Sequence, residues 1–118
     1  MNVTEKHFDI EEFLSGPLMA TLTTASECGP RETPVWFLWE DNALWIIAST
    51  ESTFLKRLRH ESRCAIGIVD FDLARGFMQH LGLHGIAPVM PMETSRRSRL
   101  IQRYLGAEYA WNPGSGMP

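Results

Sequence analysis

The chain has 118 residues and a mass of 13.4 kDa, enough for one hydrophobic core and too little for a separate cofactor domain. Hydrophobic residues make up 44% and charged residues 21%, the balance of a globular protein and not of a disordered one. Eleven basic residues against fourteen acidic ones leave a net charge of −3 and a pI near 5.8, which argues against a nucleic-acid binder.

Residues 8–15 spell a short amphipathic helix. Phe8, Ile10, Phe13 and Leu14 fall on one side, and Glu5, Asp9, Glu11 and Glu12 sit early, where the positive end of the helix dipole favours carboxylates; Gly16-Pro17 ends it. Leu18 to Ala25 alternates Leu18, Ala20 and Leu22 against Met19, Thr21 and Thr23, as a strand does, and Ser26-Glu27-Cys28-Gly29-Pro30 is turn chemistry. Residues 31–39 read as a second strand, with Thr33, Val35, Phe37 and Trp39 on one face and Pro34, Trp36 and Leu38 on the other. Both faces are largely apolar, so both are expected to be covered. Pro34 cannot donate to a ladder, which puts this strand at an edge or a bulge. Glu40-Asp41-Asn42 is a hairpin loop and Ala43 to Ser49 the returning strand, so these three strands are expected to form an antiparallel meander.

Ser49-Thr50-Glu51-Ser52-Thr53 precedes Phe54, Leu55 and Leu58 at helical spacing and marks a helix start, with Lys56, Arg57, Arg59 and His60 on or near its open side. Cys64 to Val69 is a strand apolar on both faces, Asp70 to Gly76 a loop, and Phe77 to Val89 a long strand in which Gly82 and Gly85 predict a bend or bulge. Thr94 to Leu105 is a helix capped by Thr94 or Ser95, with Leu100, Ile101, Tyr104 and Leu105 inward and Gly106 at its end. Residues 107–118, with Trp111 and Asn112-Pro113-Gly114-Ser115-Gly116, are expected to be a flexible tail, which leaves residues 1–106 as one domain. Successive strands interrupted by one short helix predict a mainly β (α+β) fold, a small barrel closed to remove its edges, and not a doubly wound sheet.

Residues 29–63 carry the chemistry. A turn at Gly29-Pro30-Arg31 leads into Thr33-Pro34-Val35-Trp36-Phe37, then a hairpin, a strand ending at Ser49, a hydroxyl-rich helix start and the basic pair Lys56 and Arg57. Backbone N–H groups at a helix N-terminus favour an anion, and the hydroxyls of Ser49, Thr50, Ser52 and Thr53 can donate to phosphate oxygens, with Lys56 or Arg57 supplying charge one turn on. A flat ring can lie on the neighbouring tryptophan-bearing strand. Each feature also has a plain reading. The hydroxyls serve as helix caps, the basic residues as a solvated face, and Trp36, Trp39 and Trp45 as core.

In order along the chain, Gly29-Pro30-Arg31-x-Thr33-Pro34-Val35-Trp36-Phe37, Leu44-Trp45-Ile46, Ser52 with its basic helix, Arg63-Cys64-Ala65-Ile66-Gly67 and His84-Gly85-Ile86-Ala87 resemble the pyridoxamine 5′-phosphate oxidase-like family of FMN-binding split barrels. The resemblance spans residues 12–105. It implies a six-stranded antiparallel split β-barrel of Greek-key type with flanking short helices. It also implies a homodimer with FMN at the subunit interface, acting as an oxidoreductase on a small organic substrate. It sets Thr33, Pro34, Val35 and Trp36 along the isoalloxazine ring and Ala48 and Ser49 near the ring or ribityl chain. Ser52, Thr53, Lys56 and Arg57 then fall at the phosphate, and His80 at the flavin edge. Similar barrels bind the deazaflavin F420 as reductases, and others serve as flavin- or heme-binding modules. The chain departs from the family in three places. Phe54 stands where relatives commonly have lysine; no Arg-rich substrate segment follows Gly106, so oxidation of pyridoxine phosphate is not implied; and no final strand follows the last helix.

Other chemistries find less support. His80 and His84, four apart in a strand, stand about 13 Å from each other, too far to share a metal ion. Cys28 and Cys64 are too few for a disulfide scaffold, and no Gly-x-Ser-x-Gly elbow occurs. Arg96, Arg97, Arg99 and Arg103 read as a solvated helix face, or as cations neutralising phosphate across a dimer. The longest apolar runs, Pro34 to Trp39 and Ala43 to Ala48, are six residues each, too short to span a membrane, and Met1 to His7 lacks the apolar core of a signal peptide. The cytoplasm is the expected compartment.

Overall fold

The computed structural model describes residues 9–49 and 51–106. Phe8, Thr50, Trp111 and the expected tail at 107–118 lie outside the described residues. Helix α1 (Ile10–Ser15) starts at Asp9, whose carboxylate accepts the Glu12 N–H at 3.2 Å, and buries Phe13 and Leu14. Strand β1 (Ala20–Thr24) alternates as the sequence requires, with Ala20, Leu22 and Thr24 turned into the core. The 26–29 turn closes through paired Ser26 and Gly29 backbone hydrogen bonds, and Gly29 holds φ 101°, a conformation that favours glycine. Strand β2 (Arg31–Val35) then pairs antiparallel with β1.

The expected strand over 31–39 is broken. After Val35 the chain leaves the sheet and resumes as β3 (Leu38–Glu40), which pairs with β4 (Ala43–Trp45) in a separate hairpin. The break has a tertiary cause: the Phe37 N–H donates to the Tyr104 hydroxyl at 3.1 Å instead of to a neighbouring strand. The expected meander is therefore two units, and β4 stops at Trp45 and not at Ser49. Asp41 and Asn42 close the hairpin with φ 55° and 56°, the left-handed pair of a type I′ turn.

Helix α2 (Thr53–His60) buries Phe54 and Leu58. Strands β5 (Arg63–Asp72) and β6 (Phe77–Ile86) form one uninterrupted ten-residue ladder, in which Gly67 faces Gly82 and Cys64 faces Gly85. The bend or bulge expected at Gly82 and Gly85 is absent from this ladder, and residues 70–72, expected in a loop, extend β5 because β6 offers them partners as far as Phe77. Helix α3 (Thr94–Leu105) has the expected limits; Glu93 is its N-cap, and the Ser95 hydroxyl donates to the Glu93 carboxylate at 2.9 Å.

The main sheet runs β2-β1-β5-β6, which places Pro34 on an edge strand, as its missing N–H demands. Its inner face, with α1, α2 and Phe37, forms the core. Among the described residues, the fold is mainly β with antiparallel pairing and three short helices. Six strands are present, but hydrogen bonding divides them into a four-stranded sheet and a hairpin, and among the described residues it does not close them into one ring.

Candidate functional site

Beside the edge strand β2 lies a cleft of about 330 Å³, within the size range of small-molecule sites. Thr33, Pro34, Val35 and Trp36 line one side. Ile47 and the start of α2, with Ser52, Thr53 and Phe54, line another, and Met19 and Leu100 complete it. Among the described residues, the lining is apolar apart from the hydroxyls of Thr33, Ser52 and Thr53 and includes no charged side chain.

Six of the residues singled out in the sequence therefore meet in one place: Thr33, Pro34, Val35, Trp36, Ser52 and Thr53. The structure places the others outside that lining. Ala48 packs against the core. Ser49 is exposed, with its hydroxyl 3.3 Å from that of Ser52. Lys56 is exposed on α2. Arg57 turns toward the sheet, where its Nε donates to the buried Thr24 hydroxyl at 2.7 Å. His80 stands on the outer face of β6 with its ring against the bare backbone of Gly67 and Gly82; a Cβ at Gly82 would come within 3.6 Å of the imidazole.

At the start of α2, Ser52 is the N-cap but makes no side-chain capping bond to the first turn. The polar groups of the lining are thus the Thr33 hydroxyl on β2 and the Ser52 and Thr53 hydroxyls at the start of α2. Position 54 is what separates this site from a lysine-bearing one. Phe54 is 7% exposed and belongs to the core, with its ring also forming part of the cleft wall.

The wall opposite α2 depends on α3, which the sequence did not link to the site. Leu100 lines the cleft. Tyr104, one turn on, stacks on Trp36 with ring centroids 4.7 Å apart and planes 5° from parallel. Its hydroxyl donates to the Leu18 carbonyl at 2.6 Å while accepting from Phe37 N–H, and burial pushes the phenol above its ordinary pKa. The helix is fastened along its length. Arg96 and Arg99 donate to Glu40 at 2.7–3.0 Å, Arg96 also lies over the Trp45 ring, and Arg103 donates to the carbonyls of Leu14 and Gly16. Hydrogen bonds from Arg99 and then Arg96 hold the Glu40 carboxyl down at about 2. Of the cluster expected as a solvated face, Arg96, Arg99 and Arg103 are thus intramolecular clamps. The signal for Leu100 and Tyr104 was their i, i+4 spacing on an apolar face, which marks burial but not against what.

Among the described residues, no group of three or more His, Cys, Asp or Glu side chains is placed to hold a metal ion, and no helix is long and apolar enough to cross a membrane. Cys64 is buried, and burial pushes its thiol up, away from the reactive thiolate.

No curated protein matches the sequence. Among solved structures, a conserved hypothetical protein from Mycobacterium tuberculosis superposes with a TM-score of 0.73 at 20% identity, over 88% of this chain and 67% of its own. An F420 reductase superposes with a TM-score of 0.71 at 23% identity, over 87% and 80%. A heme storage protein from Vibrio cholerae does so with a TM-score of 0.63 at 14% identity, over 82% and 73%. These likenesses show a shared fold. The sequence model of the family described as pyridoxamine 5′-phosphate oxidase matches residues 8–117, nearly the whole length, and the chain therefore belongs to the pyridoxamine 5′-phosphate oxidase family.

Proposed function

We propose that the protein is a homodimeric flavoprotein that binds FMN in the cleft beside β2 and acts as an oxidoreductase on a small organic substrate, with the cytoplasm as its compartment. One observation carries the reading: the apolar cleft lined by Trp36 is also lined by the Ser52 and Thr53 hydroxyls at the start of α2, where Ser52 makes no side-chain capping bond. A planar ring gains from burial against Pro34, Val35 and Trp36, at about 25 cal/mol per Å² of apolar surface. The free amides of a helix start and two hydroxyls suit a phosphate. Lys56, one turn along α2, is the cation nearest in sequence to these donors, and its exposed side chain is free to turn toward an anion there. Ser49, through Ser52, belongs with these hydroxyls. When bound, the flavin supplies the electron or hydride transfer. The chain's own residues bind it, orient it and keep water from it.

The dimer rests on the outer face of the main sheet. Phe71 and Met78 sit opposite each other there at 60% and 71% exposure, with Val69 and Ile86 (67%) on the same side. Exposed apolar groups on the face of an ordered sheet mark an interface. A second copy seated there would cover His80 and bring it toward the partner's cofactor.

The test is FMN binding to the purified protein. A yellow protein whose FMN dissociation constant rises about tenfold in Lys56→Ala, the scale of one charge-assisted hydrogen bond, supports the reading. Arg99→Ala, which leaves Glu40 paired with Arg96, should change it less than about twofold. Equal constants for the two variants reject the phosphate assignment.

A second reading, an F420-binding reductase, is favoured by Phe54. A phosphodiester carries one charge fewer than the doubly ionised monoester of FMN and asks less of a cleft lined only by neutral donors. The structural likeness to an F420 reductase supports it. Colourless protein that quenches F420 fluorescence selects this reading. A Soret band on adding heme would select a heme-binding module in its place, as in the structurally similar heme storage protein.

A further inference from the structure

Trp36 is the one aromatic ring contributed to the cleft by β2 and its exit, and the backbone gives it little support. It lies just past the last ladder residue, Val35, where the chain has left the sheet. Tyr104 meets it from the other side, nearly parallel and at van der Waals distance. The Tyr104 hydroxyl joins the Leu18 carbonyl and the Phe37 amide, so the phenol is anchored to the backbone at Leu18 and at the residue that follows Trp36. Arg103, next to it in sequence, ties the same turn of α3 to the end of α1 and lies 4.9 Å from the Phe37 ring centroid.

We infer that Tyr104 is the positioning residue of the cleft. By covering one face of Trp36 it holds the indole with its opposite face and rim toward the ligand, and α3 thereby sets the affinity for a planar ring. This rests on the flavin reading of the same cleft. It assigns to the last helix a part in binding through a residue that is absent from the cleft lining.

The experiment uses the full-length protein, with FMN as the probe, in five forms: wild type, Tyr104→Phe, Tyr104→Leu, Trp36→Leu, and Tyr104→Leu combined with Trp36→Leu, the last referred to Trp36→Leu alone. The phenyl ring of Tyr104→Phe keeps the stack, so the FMN dissociation constant should stay within about twofold of wild type. Tyr104→Leu should raise it about fivefold, the worth of one aromatic pair. In the Trp36→Leu background the same change should add less than about 1.5-fold, because a residue acting through another loses its effect when that other is gone. Equal damage by Phe and Leu, or the full fivefold effect without Trp36, overturns the inference and leaves Tyr104 as a helix anchor. Near-UV circular dichroism of the proteins without FMN gives a readout independent of the flavin reading. The aromatic signal of the stacked pair should persist in Tyr104→Phe and fall in Tyr104→Leu, and an unchanged signal in Tyr104→Leu also overturns the inference. If wild type binds no FMN but the dichroism behaves as expected, the flavin reading falls and the Tyr104–Trp36 support stands.

Discussion

Glu40 shows how one side chain joins two units that share little backbone contact. It sits at the end of β3, half-buried, and accepts from Arg96 and from both Nε and Nη2 of Arg99. Its ordinary carboxyl value of 4.5 is lowered to about 2 in the fold, chiefly by those hydrogen bonds. The folded form thus binds a proton less readily than the unfolded chain. The stabilisation is fully present above pH 4.5 and is lost as the pH falls toward 2. Glu40→Gln should cost about 1 kcal/mol at neutral pH, the scale of an ion-pair network near the surface. In urea unfolding, the gap between wild type and variant should narrow from pH 4.5 to pH 2. A gap that stays constant over that range would assign the effect to shape and not to charge.

At the scale of elements, the β3–β4 hairpin depends on its turn. Asp41 and Asn42 both hold left-handed φ angles, which a β-branched residue resists. Asn42→Val should cost about 1–2 kcal/mol in chemical denaturation, and Asn42→Gly should cost nothing or stabilise. The hairpin carries Glu40, so a distorted turn also loosens α3 and, through Leu100 and Tyr104, the cleft. The elements themselves were largely legible in the sequence. α3 has its expected limits, because Leu100, Ile101 and Tyr104 fall on one face and Gly106 stops it. The strand break at Trp36 and Phe37 was not legible. Apolar alternation runs straight through those residues, and the group that ends the ladder is a hydroxyl 67 positions away.

At the scale of the whole molecule, the proposed dimer places its interface on the outer sheet face. Phe71 and Met78, directly opposite each other, present the apolar surface that a second copy would cover. Light scattering should give twice the 13.4 kDa of the chain for wild type and the single mass for Phe71→Glu with Met78→Glu. A double variant that keeps the larger mass places the interface elsewhere. The residues on either side of the cleft were named from the sequence because they lie in two local runs, 33–36 and 52–53. Met19, Ile47 and Leu100 were missed, since each is an ordinary apolar residue that only chain crossing brings to the same cleft, while Phe54 was singled out only for standing where relatives commonly have lysine.

The sequence by itself determined the mainly β composition, the helices, the choice of an edge or a bulge for Pro34 and the family, because local periodicity, turn chemistry and ordered motifs act over a few residues at a time. The tertiary structure alone decided which cations were already committed. Arg57 turns in to Thr24, and Arg96, Arg99 and Arg103 fasten the last helix, while Lys56 stays exposed beside the cleft. A basic residue's role depends on the acceptor that its long side chain reaches, and here Thr24, Glu40 and Leu14 lie 33 to 89 residues from the arginines that bind them.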